Sequence, residues 1–171
     1  MNKKFFTPVA YLALLCLCIG TGCMQKPEVK TPTKEEMVAR GKYLAEIGGC
    51  HDCHTEGYSE AEGKIDPEKA LKGSSIGFRG PWGTTYPTNL RSVARALSER
   101  GFVAYIKHMR AQPPMPWYNL RVLNESDIRS LYQYIKSLGD PGEGTPQALL
   151  PNEEPKTPYI PFAPPQMPKG G

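Results

Sequence analysis

Cys50, His51, Asp52, Cys53 and His54 are consecutive, and the spacing C-x-x-C-H is that of covalent haem attachment. Sulfurs at this spacing can reach the two vinyl groups on one edge of a porphyrin as thioethers. The histidine after the second cysteine can then turn under the ring and ligate iron. A structural zinc site would need four ligands, commonly with a second Cys or His pair. The remaining cysteines, Cys16, Cys18 and Cys23, lie near the N-terminus, and the one histidine outside the pentapeptide is His108. A redox dithiol would sit within a βαβ pattern, and none is visible. The residues predict one haem c, attached at Cys50 and Cys53, with His54 as an axial iron ligand. His51, between the cysteines, reads as a solvent-facing residue.

A second axial ligand has four candidates: Met109, Met115, His108 and Met167. A methionine opposite the histidine gives a closed, six-coordinate haem and raises its potential. Met115 lies in Pro113-Pro114-Met115-Pro116-Trp117, where three prolines restrict the loop before folding. Met109 falls in step with Phe102 and Ile106 on an apolar helix face and reads as core. His108 falls on the polar side, and Met167 lies in the proline-rich tail. Met115 is the expected ligand.

The elements that must position these groups are helical. Thr33 and Glu36 have the spacing of a capping box opening a helix over Glu35 to Gly48, with Val38, Gly41, Leu44 and Ile47 at helical spacing. Ser98 caps a shorter helix from Glu99 to Met109. Asn124 caps a third from Glu125 to Leu138, whose Ile128, Leu131, Tyr132, Ile135 and Leu138 form one apolar face. Residues 55–92 show no sustained period and read as loop with at most short helices. No strand is predicted. The expected class is all-α, three to five short helices and long loops around one covalent haem.

The 171 residues predict one domain with extensions. Lys3 and Lys4 precede an apolar run from Phe5 to about Ile19, then Gly20-Thr21-Gly22 and Cys23. The run is short for a membrane span, which takes about 20 residues, and has the order of a secretory signal. Ile19 to Cys23 resembles the lipobox of bacterial lipoproteins, with Gly20 where that family prefers Leu. The resemblance implies lipidation of Cys23. An ordinary signal peptide or an uncleaved anchor is the alternative. The expected organisation is a signal over 1–22, a tether over 23–32, the haem domain over 33–140 and a tail over 141–171. The tail holds nine of the eighteen prolines and reads as disordered or polyproline-like. A lesser alternative has Tyr159, Ile160 and Phe162 docking on the domain or on a partner. The net charge of +4 makes no case for nucleic acid. Acids dominate from Glu46 to Glu68 and bases from Arg91 to Arg129, a layout that could orient a charged partner or mix in three dimensions.

Arg40-Gly41-Lys42-Tyr43-Leu44 leading to Cys50–His54 resembles class I cytochromes c. Three further runs carry a narrower likeness: Gly83 to Leu90, Met115-Pro116-Trp117-Tyr118, and Leu131 to Ile135. They resemble the haem domains of cytochrome subunits of membrane-bound alcohol, aldehyde and sugar-acid dehydrogenases. The likeness covers about residues 36–139, and the sequence carries one haem motif where those subunits often carry three. It implies that Met115 is the axial methionine and that the Pro81 carbonyl accepts the ring N–H of His54. It also implies that Gly41 lets the last helix cross close by, at Tyr132 or Tyr134. Trp82, Tyr86, Asn89 and Arg91 are candidates for haem propionate contacts, with packing or surface roles as alternatives. The expected function is an exported, lipid-anchored, non-enzymatic carrier on the periplasmic side of a bacterial membrane. Its redox partners would be a dehydrogenase, an oxidase or other cytochromes. The alternative is a haem c sensor or peroxidase-like enzyme with an exchangeable sixth ligand.

Overall fold

The computed structural model describes residues 30–165. The expected signal, Cys23 and Met167 lie outside the described residues. The chain divides into Met1–Thr31 and Pro32–Gly171, and the second unit carries every element described here.

Six helices build the fold among the described residues: α1 (Lys34–Ile47), α2 (Cys50–His54), α3 (Leu90–Ala96), α4 (Glu99–His108), α5 (Trp117–Arg121) and α6 (Glu125–Ser137). The three long ones follow their local signals. Thr33 and Glu36 close the capping box on α1, each side chain accepting from the other's backbone N–H. Ser98 accepts from Gly101 N–H on α4, and Asn124 from Asp127 N–H on α6. Each cap satisfies a donor that the first helical turn leaves unpaired. The core forms where α1 crosses α6 and α4 joins them. Leu44, Ala45, Phe102, Ile106, Ile128, Leu131 and Ile135 are all buried in it.

The crossing depends on Gly41. A Cβ there would lie 2.0 Å from the Ser130 carbonyl oxygen and 2.7 Å from Tyr134 Cβ. Only a residue without a side chain admits α6 this close. The contact expected at Tyr132 or Tyr134 therefore falls on Tyr134 and on the Ser130 backbone.

Three short strands depart from the expected absence of sheet: β1 (Gly77–Gly80), β2 (Gly83–Thr85) and β3 (Tyr159–Pro161). β1 and β2 form an antiparallel hairpin pairing Phe78 with Thr85 and Gly80 with Gly83. β3 runs parallel to β1, Gly77 opposite Tyr159, giving the order β2-β1-β3. Strands of three or four residues with two glycines in β1 show no alternation that a sequence could reveal.

β3 also corrects the expectation of a disordered tail. Leu149 and Thr84 exchange backbone hydrogen bonds of 2.8 and 3.0 Å, and Gly77 N–H donates to the Pro158 carbonyl at 2.9 Å. Proline lacks a donor but keeps its carbonyl, so a proline-rich strand can still accept from a neighbour. The docking of Tyr159, Ile160 and Phe162, the lesser alternative, is what the fold adopts.

Candidate haem site

α1 stops at Gly48, and Gly49 takes a left-handed conformation, φ 66°, before the chain re-enters helix at Cys50. This break lets α2 leave the axis of α1 and carry Cys50, Cys53 and His54 on one short turn. Both cysteines are free and half-buried, and Cys50 packs against the core. Burial pushes the Cys50 thiol up to about 11, helped by the nearby charge of Asp52. Burial likewise raises Cys53. A dithiol redox motif needs a thiolate of lowered pKa, and this environment does the opposite. Thioether formation with haem vinyl groups removes the titration altogether.

His54 is buried, and its Nδ1 lies 2.7 Å from the Thr88 carbonyl oxygen. A carbonyl only accepts, so the proton sits on Nδ1 and the Nε2 lone pair is left to bind iron. Burial lowers the pKa of His54, with the Thr88 bond opposing, which keeps the ring neutral as ligation requires. The bond to Thr88 also orients the ring and increases its basicity. This corrects the role expected for Pro81, which is exposed at the turn of the β1–β2 hairpin. The accepting carbonyl lies seven residues further on.

His51 also differs from expectation, being wholly buried. Its Nδ1 is 2.7 Å from Thr55 Oγ1 and its Nε2 is 3.3 Å from the Tyr134 hydroxyl. Thr55 Oγ1 in turn accepts from Leu71 N–H at 2.9 Å. His51 thus ties the haem-binding turn to α6 on one side and to the following loop on the other. Burial, the leading cause, raises the Tyr134 phenol to about 12, so it stays protonated.

Two of the suggested propionate contacts are committed elsewhere. Asn89 caps α3 by accepting from Ser92 N–H, and its amide donates to the carbonyls of Pro141 and Glu143. Arg91, buried on α3, donates to the carbonyls of Ala70, Leu138, Asp140 and Pro67. It clamps two segments, 67–70 and 138–140, through four carbonyls, which commits most of its donors to the chain. The Tyr86 hydroxyl accepts from Thr157 Oγ1 at 3.1 Å and keeps its own proton to donate.

Trp82 is the exception. Its Nε1 is the one buried side-chain nitrogen or oxygen among the described residues that has no hydrogen-bond partner. A buried N–H left unpaired costs roughly 1–3 kcal/mol. The carboxylates of a haem would supply the acceptor that the chain does not. The thiol pair, the free Nε2 of His54 and this orphaned donor together fit a covalently held haem.

Met115 lies in the loop between α4 and α5 and is half-buried. Its carbonyl accepts from Trp117 N–H at 2.9 Å, and Thr85 Oγ1 fastens the loop through the Pro113 carbonyl at 2.8 Å. Arg110 and Arg121 stack on Trp117, their guanidinium carbons 5.5 and 4.5 Å from the ring centroid. Arg121 also donates to the carbonyls of His108 and Met109. Met109 packs against the core, and His108 is exposed, its Nδ1 2.9 Å from the Ala104 carbonyl.

The cytochrome c family model matches residues 38–139, from α1 through the end of α6. The chain belongs to the cytochrome c family: it is an electron-transfer cytochrome, and its cofactor is covalently bound haem c. Among curated proteins it is 28% identical over 163 residues to the fructose dehydrogenase cytochrome subunit of Gluconobacter japonicus, covering 86% of this chain and 32% of that one. It is also 28% identical over 111 residues to a subunit of nicotinate dehydrogenase from Pseudomonas putida, covering 59% of this chain and 8% of that one. The chain thus spans about a third of the first relative and under a tenth of the second. No solved structure gives a significant match.

Covalent attachment has a direct check. On a denaturing gel stained for haem peroxidase activity the wild type should keep its stain, and Cys50→Ala/Cys53→Ala should lose it. An unstained wild-type band would contradict thioether attachment.

Proposed function

We propose that this protein is an exported monohaem carrier, held at the periplasmic side of a bacterial membrane by lipid on Cys23. It would take single electrons from a membrane-bound or periplasmic dehydrogenase and pass them to the respiratory chain or another acceptor. The single observation carrying this reading is His54, locked by Thr88 with its Nε2 lone pair left for iron, within a domain of the cytochrome c family. The haem supplies one-electron iron cycling. His54 and Met115 would hold the iron, and the burial of His54 would limit access of water to it. With both residues engaged, a substrate would find no open position at iron, and the protein would act as a carrier and not as an enzyme. Relatives named as dehydrogenase subunits support a dehydrogenase as electron donor.

The donor is tested by purifying the full chain from native membranes and adding the substrate of any dehydrogenase that accompanies it. Reduction of the haem in a one-electron titration is expected. A ferrous protein that binds carbon monoxide readily and turns over peroxide would favour the sensor or peroxidase reading instead.

The anchor makes a separate prediction. Wild-type protein should partition into detergent and Cys23→Ala should not. A single acyl chain binds membranes only marginally, whereas two or more anchor firmly. Equal partitioning would point to an uncleaved helix or another mode of attachment.

A further inference from the structure

The residues on either side of Tyr86 are tied to both faces of the haem site. Thr85 donates to the Pro113 carbonyl in the Met115 loop, and the Thr88 carbonyl holds His54. A segment fastened to His54 at one end and to the Met115 loop at the other would run along an edge of a haem held between them. Trp82, with its orphaned N–H, stands at the hairpin turn that opens this segment.

The tail lies directly behind that wall. Leu149 pairs with Thr84, Thr157 bonds Tyr86, and β3 pairs with β1. The Phe162 ring packs edge-on against Trp82 and Phe78, with centroids 6.0 and 5.9 Å away. Arg79 fastens the strap from the opposite face of β1. Its guanidinium donates to the Glu153 carbonyl at 2.8 Å and to Glu154 Oε1 at 2.7 Å. Its own carbonyl accepts from Phe162 N–H at 2.6 Å. The Glu154 carboxylate is 79% exposed, so that ion pair contributes little by itself. The latch rests on the backbone bonds and the Glu153 carbonyl.

We propose that the strap over residues 149–162 is a working part of the haem site: latched by Arg79, it seats Phe162 on Trp82 and so holds the indole N–H where it donates to a haem carboxylate. Arg79 and Phe162 are then positioning residues that set the reduction potential. The inference rests on the electron-transfer reading above. A propionate stripped of its donor keeps more negative charge near iron, which favours ferric iron, so the potential falls. Hydrogen bonding and burial are two of the levers by which a protein tunes a haem.

The test uses full-length holoprotein and measures midpoint potentials and melting temperatures for Arg79→Gln, Phe162→Ala, Trp82→Phe and the Phe162→Ala/Trp82→Phe double variant. Each single variant should lower the ferrous-to-ferric ratio at fixed poise roughly threefold, about 28 mV at 59 mV per tenfold for one electron. Adding Phe162→Ala to Trp82→Phe should shift the potential no further. Phe162 is 41% exposed, so its truncation leaves a foldable chain even where Arg79→Gln does not. If Phe162→Ala and Arg79→Gln keep the wild-type potential while Trp82→Phe lowers it, the strap is packing only and the proposal is overturned, with the electron-transfer reading intact. A chain that takes up no covalent haem overturns both.

Discussion

Gly41→Ala should abolish most of the yield of folded holocytochrome. The added Cβ meets the Ser130 carbonyl oxygen at 2.0 Å and its carbon at 2.5 Å. Neither belongs to a side chain that can swing aside, so α1 and α6 must separate by more than an ångström. Alanine is the better helix former by about 1 kcal/mol, which works in the variant's favour. Overpacking a core costs 1–3 kcal/mol and occasionally more, and here two backbones collide. We expect a loss of at least about 3 kcal/mol from a total that is commonly 5–15 kcal/mol. The damage reaches the site, because Tyr134 on α6 holds His51 between the two haem-bearing cysteines. Thermal unfolding followed in the haem Soret band measures the loss. A melting temperature equal to the wild type's would show that the helices do not cross at Gly41.

Met115→Ala carries the second large effect, on the iron itself. The ferric protein should lose its iron–sulfur charge-transfer band and its potential should fall, because a thioether favours ferrous iron. The vacated position should bind carbon monoxide, which the proposed closed wild-type haem would exclude. Met109→Ala is the control. That side chain packs beside the core, so its removal should cost stability, on the order of 2 kcal/mol, and leave the spectrum intact. If Met109→Ala loses the band while Met115→Ala keeps it, the ligand assignment is reversed. The three prolines and the Thr85–Pro113 bond bear on the same result. A loop already held in place accepts a ligand with little further ordering.

Some of this site was legible before any fold was known, and the legible parts share a property. The haem pentapeptide, the Thr33–Glu36 capping box and the caps at Ser98 and Asn124 each involve residues within four positions of one another. The apolar face of α6 repeats along one helix. Such signals survive in a linear text because chain geometry alone brings the partners together. Gly41 is legible in part: a glycine inside a helix costs stability relative to alanine, which points to a close approach, and the family resemblance adds which helix crosses there.

What the linear text does not reveal has the opposite property: Thr88 and not Pro81 faces His54, His51 is buried and not solvent-facing, and part of the proline-rich tail pairs with a strand. Asn89 and Arg91, for which packing and haem contact are both open readings, bond to distant chain segments. In each case the deciding partner lies far along the sequence: Asn89 meets Pro141, Arg91 meets Leu138, His51 meets Tyr134 and Gly77 meets Pro158. Most of these partners are backbone carbonyls. A carbonyl is the same acceptor on every residue, so residue identity carries no mark of which one a donor will find. The linear text is enough to name the cofactor and the helices around it, and it nominates Cys50, Cys53 and His54 to hold that cofactor. Packing settles which carbonyl orients His54 and which carbonyls Arg91 clamps. It also settles that a proline-rich tail closes over the hairpin bearing Trp82, because those choices depend on which backbones pass within about 3 Å once the helices have packed.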